Sequence, residues 1–164
     1  MLSKFKTFNI IIILFCVINV HYAVGNELPE EFYGKVIKVT DGDTIHIKSK
    51  NIPKIKVRLA GIDAPELKQP YGKKSKKILG NLIFNKKVKI KKVGVDRYGR
   101  VIGIVIKENL DVNHFLVING HAWCYDYYNE RAIIKTAESI AKRNKIGIWQ
   151  QQNPIPPWKW RKRN

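Results

Sequence analysis

Cysteine is nearly absent from this chain, and that excludes a fold built on disulfides. Of the two cysteines, Cys16 lies in a leader-like segment, which leaves Cys124 with no second cysteine to pair with. A single cysteine beside scattered histidines (His46, His114 and His121) also excludes a zinc site, because none of the spacings that hold zinc is present. Long apolar runs are lacking too. The run Ile10 to Val20 is eleven residues long and Asn19 and His21 interrupt its end, short of the ~18–20 residues a membrane span needs. Internal repeats, low-complexity linkers, a glycine-rich phosphate loop and a nucleophile–base pair are all missing between residues 30 and 150. Acidic residues are scarce as well, 13 against 31 basic ones.

The N-terminus reads as a secretory leader. Lys4 and Lys6 precede the apolar run, and Ala23 and Gly25 stand at the −3 and −1 positions of a cleavage before Asn26. Residues 1–25 are therefore expected to be a signal peptide, with the mature chain exported as a secreted or periplasmic protein. Removing them takes two lysines and no acid, so the charge falls from +18 to +16. A charge of that size implies an anionic partner: nucleic acid, an anionic membrane or an acidic polysaccharide. It is a source of affinity and on-rate, and by itself it carries no chemistry.

The remaining length suits one domain, residues 26–150, followed by a Pro/Trp-rich basic tail, 151–164. Three alternating runs, Gly34 to Thr40, Thr44 to Lys50 and Lys54 to Ala60, are joined by Asp41-Gly42-Asp43 and Asn51-Ile52-Pro53, a meander of strands. From Lys73 to Asn85 the period changes to helical, with Ile78, Leu79, Leu82 and Ile83 on one face. Two further strands, Lys87 to Val93 and Val101 to Ile106, flank Asp96-Arg97-Tyr98-Gly99-Arg100. Asp111 is placed to N-cap a short helix that Gly120 stops. A last helix, from about Glu130 to Arg143, is expected to bury Ile133, Ile134, Ala137, Ile140 and Ala141, and Trp158 to Asn164 is expected to be loosely held. This order predicts an all-β barrel with helices (α+β): a five-stranded OB-fold barrel with three helices. Such a fold suggests nucleic-acid binding only by analogy.

The placement of the few carboxylates is informative. Asp41, Asp43, Asp63 and Glu66 all fall in turns at strand ends. Hard divalent cations take several oxygen ligands, and Asp43 and Asp63 are positioned to supply two if the first turn and the end of the third strand meet. An EF-hand is excluded, because Ile52 stands where its twelfth-position glutamate would be.

The motifs Asp41-Gly42-Asp43-Thr44, Val57-Arg58-Leu59-Ala60-Gly61-Ile62-Asp63-Ala64-Pro65-Glu66, Asp96-Arg97-Tyr98-Gly99-Arg100 and Ile146-Gly147-Ile148-Trp149 occur in this order. Singly each is a hairpin turn or a charged strand end; as an ordered set they resemble the thermonucleases, the staphylococcal-nuclease-like family. The resemblance spans Tyr33 to Trp149. It implies Ca²⁺-dependent hydrolysis of single- and double-stranded DNA and RNA to 3′-phosphate products. Asp43, Asp63 and the Ala64 carbonyl resemble the family's Ca²⁺ ligands. Glu66 resembles the carboxylate that orients or deprotonates the attacking water, and Arg58 and Arg100 the pair that grips the phosphate. Arg97 and Tyr98 fit part of the terminal-nucleotide site, while Tyr125 to Tyr128 align ambiguously with the rest. The segment Leu67-Lys68-Gln69-Pro70 is shorter than the mobile loop of the family's best-known secreted member.

Physical chemistry agrees with that reading. Negative charge gathers on the phosphoryl oxygens during hydrolysis, and guanidiniums bind such oxygens bidentately at any working pH. Preorganised positive groups there are usually the largest catalytic term. The expectation is a monomeric enzyme with no stable protein partner and, after cleavage of the leader, no membrane span. Two rivals make different demands: a non-catalytic OB-fold binding module, and a basic surface-adhesion protein that needs no metal.

Overall fold

A computed structural model of the chain describes residues 28–50, 52–125, 127 and 131–163. The expected leader and the loop residues Asp126 and Tyr128 lie outside the described residues. The first three strands follow the alternation read from the sequence: β1 (Glu31–Val39), β2 (Thr44–Ser49) and β3 (Ile52–Leu59) form an antiparallel meander. A two-residue strand, β4 (Ile62–Asp63), follows, and then helix α1 (Gly72–Ile83). Next come β5 (Lys87–Val95), β6 (Val101–Lys107), β7 (Leu110–Asp111) and α2 (Val112–Ile118). The chain continues through β8 (Trp123–Cys124) and α3 (Ala132–Arg143), a 3₁₀ turn (Gly147–Gln150) and a one-turn helix, α4 (Pro157–Trp160).

The strand order β3-β2-β1-β5-β6 closes because β6 also pairs with β3, in parallel, with Arg58 opposite Ile102. This closure yields the expected five-stranded barrel; β7 extends the edge of β6, and β4 pairs with β8 outside it. Register shifts between Val36 and Lys38 and between Lys92 and Gly94 bend β1 and β5, the usual means by which a sheet turns through a barrel. Val36, Ile45, Ile47, Val57, Leu59, Ile90 and Val105 are fully buried, and Leu79 and Ile83 of α1 join the same core. Asp111 caps α2 by accepting from the His114 N–H at 2.9 Å, and Gly120 adopts φ 63 just beyond it, as its sequence position predicts.

Three expectations are corrected. Ile133 is 53% exposed, because the buried stripe of α3 is Ile134, Ala137 and Ala141 and Ile133 lies a quarter-turn off it. The tail is packed rather than loose. Pro157, which cannot continue a helix, instead opens one, since the N1 position needs no N–H. Finally, Asp63, expected in a turn, lies in the short strand β4, paired with Trp123 of β8.

Among the described residues no helix is long and apolar enough to cross a membrane. One buried side chain ties the closure together. The Asn113 amide donates to the carbonyls of Ala60 (2.8 Å) and Gly103 (3.3 Å), and its oxygen accepts from the Val105 N–H (3.0 Å). Replacing Asn113 with alanine strands these backbone groups in the core. We expect the variant to lose about 2–4 kcal/mol of stability in urea unfolding.

Candidate functional site

The barrel closure also builds the charged cavity. The pairing of β2 with β3 sets Thr44 opposite Arg58, so the turn Asp41–Asp43 that precedes β2 lies over the end of β3. The Asp43 carbonyl accepts from the Leu59 N–H at 2.9 Å, which fixes that turn to the strand. Gly42 has to be glycine there. A Cβ at its position would stand 2.2 Å from Ser75 Oγ and 2.6 Å from Ala64 Cβ. At the end of β3 the chain turns at Gly61 (φ 73) and returns as β4, pinned by β8, with Asp63 opposite Trp123. Since β6 runs parallel to β3, with Val101 opposite Val57, Arg100 is delivered to the same region as Arg58.

The result is a cavity of about 330 Å³ bearing Asp41, Asp43, Asp63, Glu66, Arg58 and Arg100, with Arg97 and Tyr98 at its edge. Every side chain anticipated for the site therefore reaches one cavity, and Ala64 lines it as well. Three residues to which the sequence assigned no definite role join them: Asp41, Tyr125 and Arg161. The sequence offered a signal for Asp41, two positions before Asp43 in the same turn. Tyr125 arrives because its N–H donates to the Gly61 carbonyl at 3.0 Å. For Arg161 there was no local signal.

Arg58 departs from the alternation of its strand, being only 5% exposed. Its guanidinium donates to Asp63 Oδ1 at 2.8 Å and to the Leu59 carbonyl at 3.1 Å, and it stands 3.3 Å from Asp43 Oδ1. A guanidinium has five N–H donors, so some remain for a phosphate oxygen. Arg100 is held differently. Its Nε donates to Asp96 Oδ2 at 2.6 Å, and Asp96 Oδ1 accepts from the backbone N–H groups of Tyr98 and Arg100, each at 2.9 Å. Burial alone would raise the Asp96 pKa, but these bonds hold it below the usual carboxylate range. The terminal nitrogens of Arg100 stay available to an anion. Tyr98, 67% exposed, stands between the Arg97 and Arg100 guanidiniums, whose centres lie 4.9 and 5.6 Å from its ring.

Glu66 is held by a compact turn. Its N–H donates to Gln69 Oε1 at 3.1 Å, and its carbonyl accepts from the Gln69 N–H at 2.8 Å. Gly72 closes the turn so tightly that a Cβ there would stand 1.8 Å from the Glu66 carbonyl oxygen. The Glu66 carboxylate, 38% exposed, faces solvent on one side and Arg161 on the other, at 2.7 Å.

The carboxylates of the cavity are crowded together away from water. Burial, with repulsion from Asp43, lifts the Asp41 pKa from 3.8 to about 7. Burial also raises that of Asp63, although hydrogen bonds from Arg161 oppose the rise. Among the described residues no three His, Cys, Asp or Glu side chains converge as a ready-made metal cluster; Asp43 and Asp63 are turned toward Arg58 instead. The donors gathered here are nonetheless all hard oxygens, and the raised Asp41 pKa marks a place where added positive charge is favourable. That chemistry fits an alkaline-earth cation held by Asp43, Asp63 and the Ala64 carbonyl, with Asp41 beside them.

Asp41 supplies a pH test. With its pKa raised on folding, the folded chain keeps a proton that the unfolded chain releases between about pH 3.8 and 7, so this group's contribution to stability falls as pH rises through that window. Asp41→Asn removes the fall. In chelator at pH 8 the variant should be about 1–3 kcal/mol more stable than the parent in urea, and the two should converge near pH 4.

Comparison with known proteins agrees with this geometry. Residues 56–151 match the family described as staphylococcal nuclease homologue. An uncharacterized endonuclease of Escherichia coli is 37% identical over 137 residues, covering 83% of this chain and 89% of that protein. An uncharacterized endonuclease of Haemophilus influenzae is 41% identical over 128 residues (78% and 72%). A micrococcal nuclease of Shigella flexneri is 37% identical over 143 residues (80% and 82%). With a five-stranded barrel, a matching stretch that carries most of the cavity's residues, from Arg58 to Tyr125, and relatives of this extent, the chain belongs to the staphylococcal nuclease homologues.

Proposed function

We propose that this chain is an exported, Ca²⁺-dependent nuclease that hydrolyses phosphodiester bonds in DNA and RNA and leaves 3′-phosphate ends. The observation that carries the reading is the convergence of two guanidiniums, each oriented by its own aspartate, on a cavity that also holds Glu66. Arg58 and Arg100 bind the non-bridging oxygens of the scissile phosphate and stabilise the charge that builds there. Glu66 accepts a proton from the attacking water. The water oxygen bonds to phosphorus and the bond to the 5′ oxygen breaks; that oxygen takes a proton from solvent water and leaves as a hydroxyl, while Glu66 returns its proton to solvent. Asp43, Asp63 and the Ala64 carbonyl hold Ca²⁺, which when bound supplies Lewis-acid stabilisation of the phosphate. Tyr98 and Arg97 engage the neighbouring nucleotide at the rim, where stacking on an exposed ring tolerates any base.

Several features support preorganisation as the source of rate. Asp96 spends both oxygens on the Tyr98–Arg100 turn, so Arg100 requires no reordering when substrate arrives. The high positive charge of the chain draws a polyanion toward the cavity.

In the mature chain with single-stranded DNA or RNA, cleavage should require Ca²⁺ and stop in chelator. Arg58→Ala and Arg100→Ala should each lower kcat by roughly 10²–10³-fold, and Glu66→Gln by roughly 10²–10⁴-fold. End-labelling should detect 3′-phosphates. Salt-sensitive binding with no cleavage under any metal would instead leave a binding module of the same fold. For export, the secreted protein should begin at Asn26 by N-terminal sequencing; a mature chain that retains Met1 rejects the leader.

A further inference from the structure

The family match ends at residue 151, yet the segment beyond it forms part of the cavity wall. The Ile155 carbonyl accepts from Gln69 Nε2 at 2.6 Å, and Gln69 is the buried residue whose other contacts shape the Glu66 turn. Pro157 is buried, and the Trp158 ring packs 5.7 Å from Trp123 and 5.4 Å from Tyr125. These contacts aim Arg161, the residue following α4, into the cavity. Its guanidinium donates to Asp63 Oδ2 at 2.8 Å, to Asp63 Oδ1 at 3.3 Å and to Glu66 Oε1 at 2.7 Å.

The two carboxylates so engaged are those the proposed reaction needs open: Asp63 as a cation ligand and Glu66 as the group that takes a proton from water. Geometry and charge make the occupancy exclusive. A planar fork seated on Asp63 uses the oxygens that a divalent cation would use, and the two cations repel strongly at contact distance in a partly desolvated site. The latch is a weak one. Arg161 has 44% of its side chain exposed, and half-exposed ion pairs hold only modestly. It can turn out toward solvent while α4 stays docked.

We propose that Arg161 is a competitor of the catalytic cation carried in the same chain, so that the C-terminal tail holds the site closed until divalent cation displaces it. The inference rests on the reading of the cavity as a cation-dependent nuclease site. It predicts that the tail sets the cation concentration at which the enzyme switches on, without contributing to the chemistry after displacement.

The test is calorimetric titration of Ca²⁺ into the chelator-treated mature protein, for the parent, Arg161→Ala, Arg161→Lys and Lys159→Ala. Lys159 is exposed on α4 and carries the same charge, and no carboxylate of the cavity is among its contacts. Arg161→Ala should bind Ca²⁺ roughly tenfold more tightly than the parent. Arg161→Lys should fall between, because it keeps the charge and loses the fork, and it stands in if the alanine variant fails to fold. Lys159→Ala should match the parent within about twofold. The Ca²⁺ concentration for half-maximal cleavage should shift with the binding constant. Unchanged or weaker affinity in Arg161→Ala, or an equal gain in Lys159→Ala, overturns the latch and leaves the nuclease reading intact. Absence of Ca²⁺ binding in all four chains removes the cation reading itself, and the latch with it.

Discussion

The ion-pair cluster of Arg58 with Asp43 and Asp63 is the constraint on which the rest of the structure depends. A guanidinium only 5% exposed is tolerable only if its donors are satisfied, because an unpaired charge at that depth is far costlier than any single core contact. Satisfying it requires three pieces of chain to meet: the end of β3, the turn before β2 and the reversal into β4. The Ala64 N–H donates to Asp43 Oδ2 at 2.6 Å and ties the turn before β2 to the chain leaving β4. Site and fold are thus one arrangement, and loosening one pair exposes charge in the others.

That arrangement stores unfavourable electrostatics where chemistry needs them. Four arginines line the cavity beside four carboxylates, yet Asp41 still takes a proton near pH 7, an ordinary consequence of burial and of crowding like charges away from water. Carboxylates buried in this way are receptive to a cation at contact distance, whether an ion from solution or an arginine of the chain. Arg161 meets that need from the tail, which accounts for a C-terminal segment of tryptophan, proline and basic residues that packs rather than trails.

In the proposed reaction, the division of labour between Arg58 and Arg100 follows from their supports. Arg58 is buried and gripped by carboxylates that also serve the cation reading, so its position is coupled to theirs. Arg100 has a private support in Asp96, at the tip of a hairpin whose rim exposes Tyr98. One arginine is tied to the carboxylates of the proposed cation site and the other is not, and both share a cavity with Glu66.

Much of this was legible in the chain itself. Alternation and turn residues determined the meander, the later strands and the cap at Asp111, because these depend on neighbours a few residues apart. Sequence also set Asp43 and Glu66 in irregular segments and the two arginines in or beside strands, and order and spacing pointed to the family. Periodicity misassigned Ile133, since it marks an apolar residue and not the side of α3 that meets the barrel. Tertiary structure alone decided that Arg58 is buried, that Tyr125 lines the cavity, and that Arg161 reaches Asp63 across 98 positions. Those outcomes depend on barrel closure and on the docking of a proline-started helix, contacts between segments whose local preferences carry no record of one another.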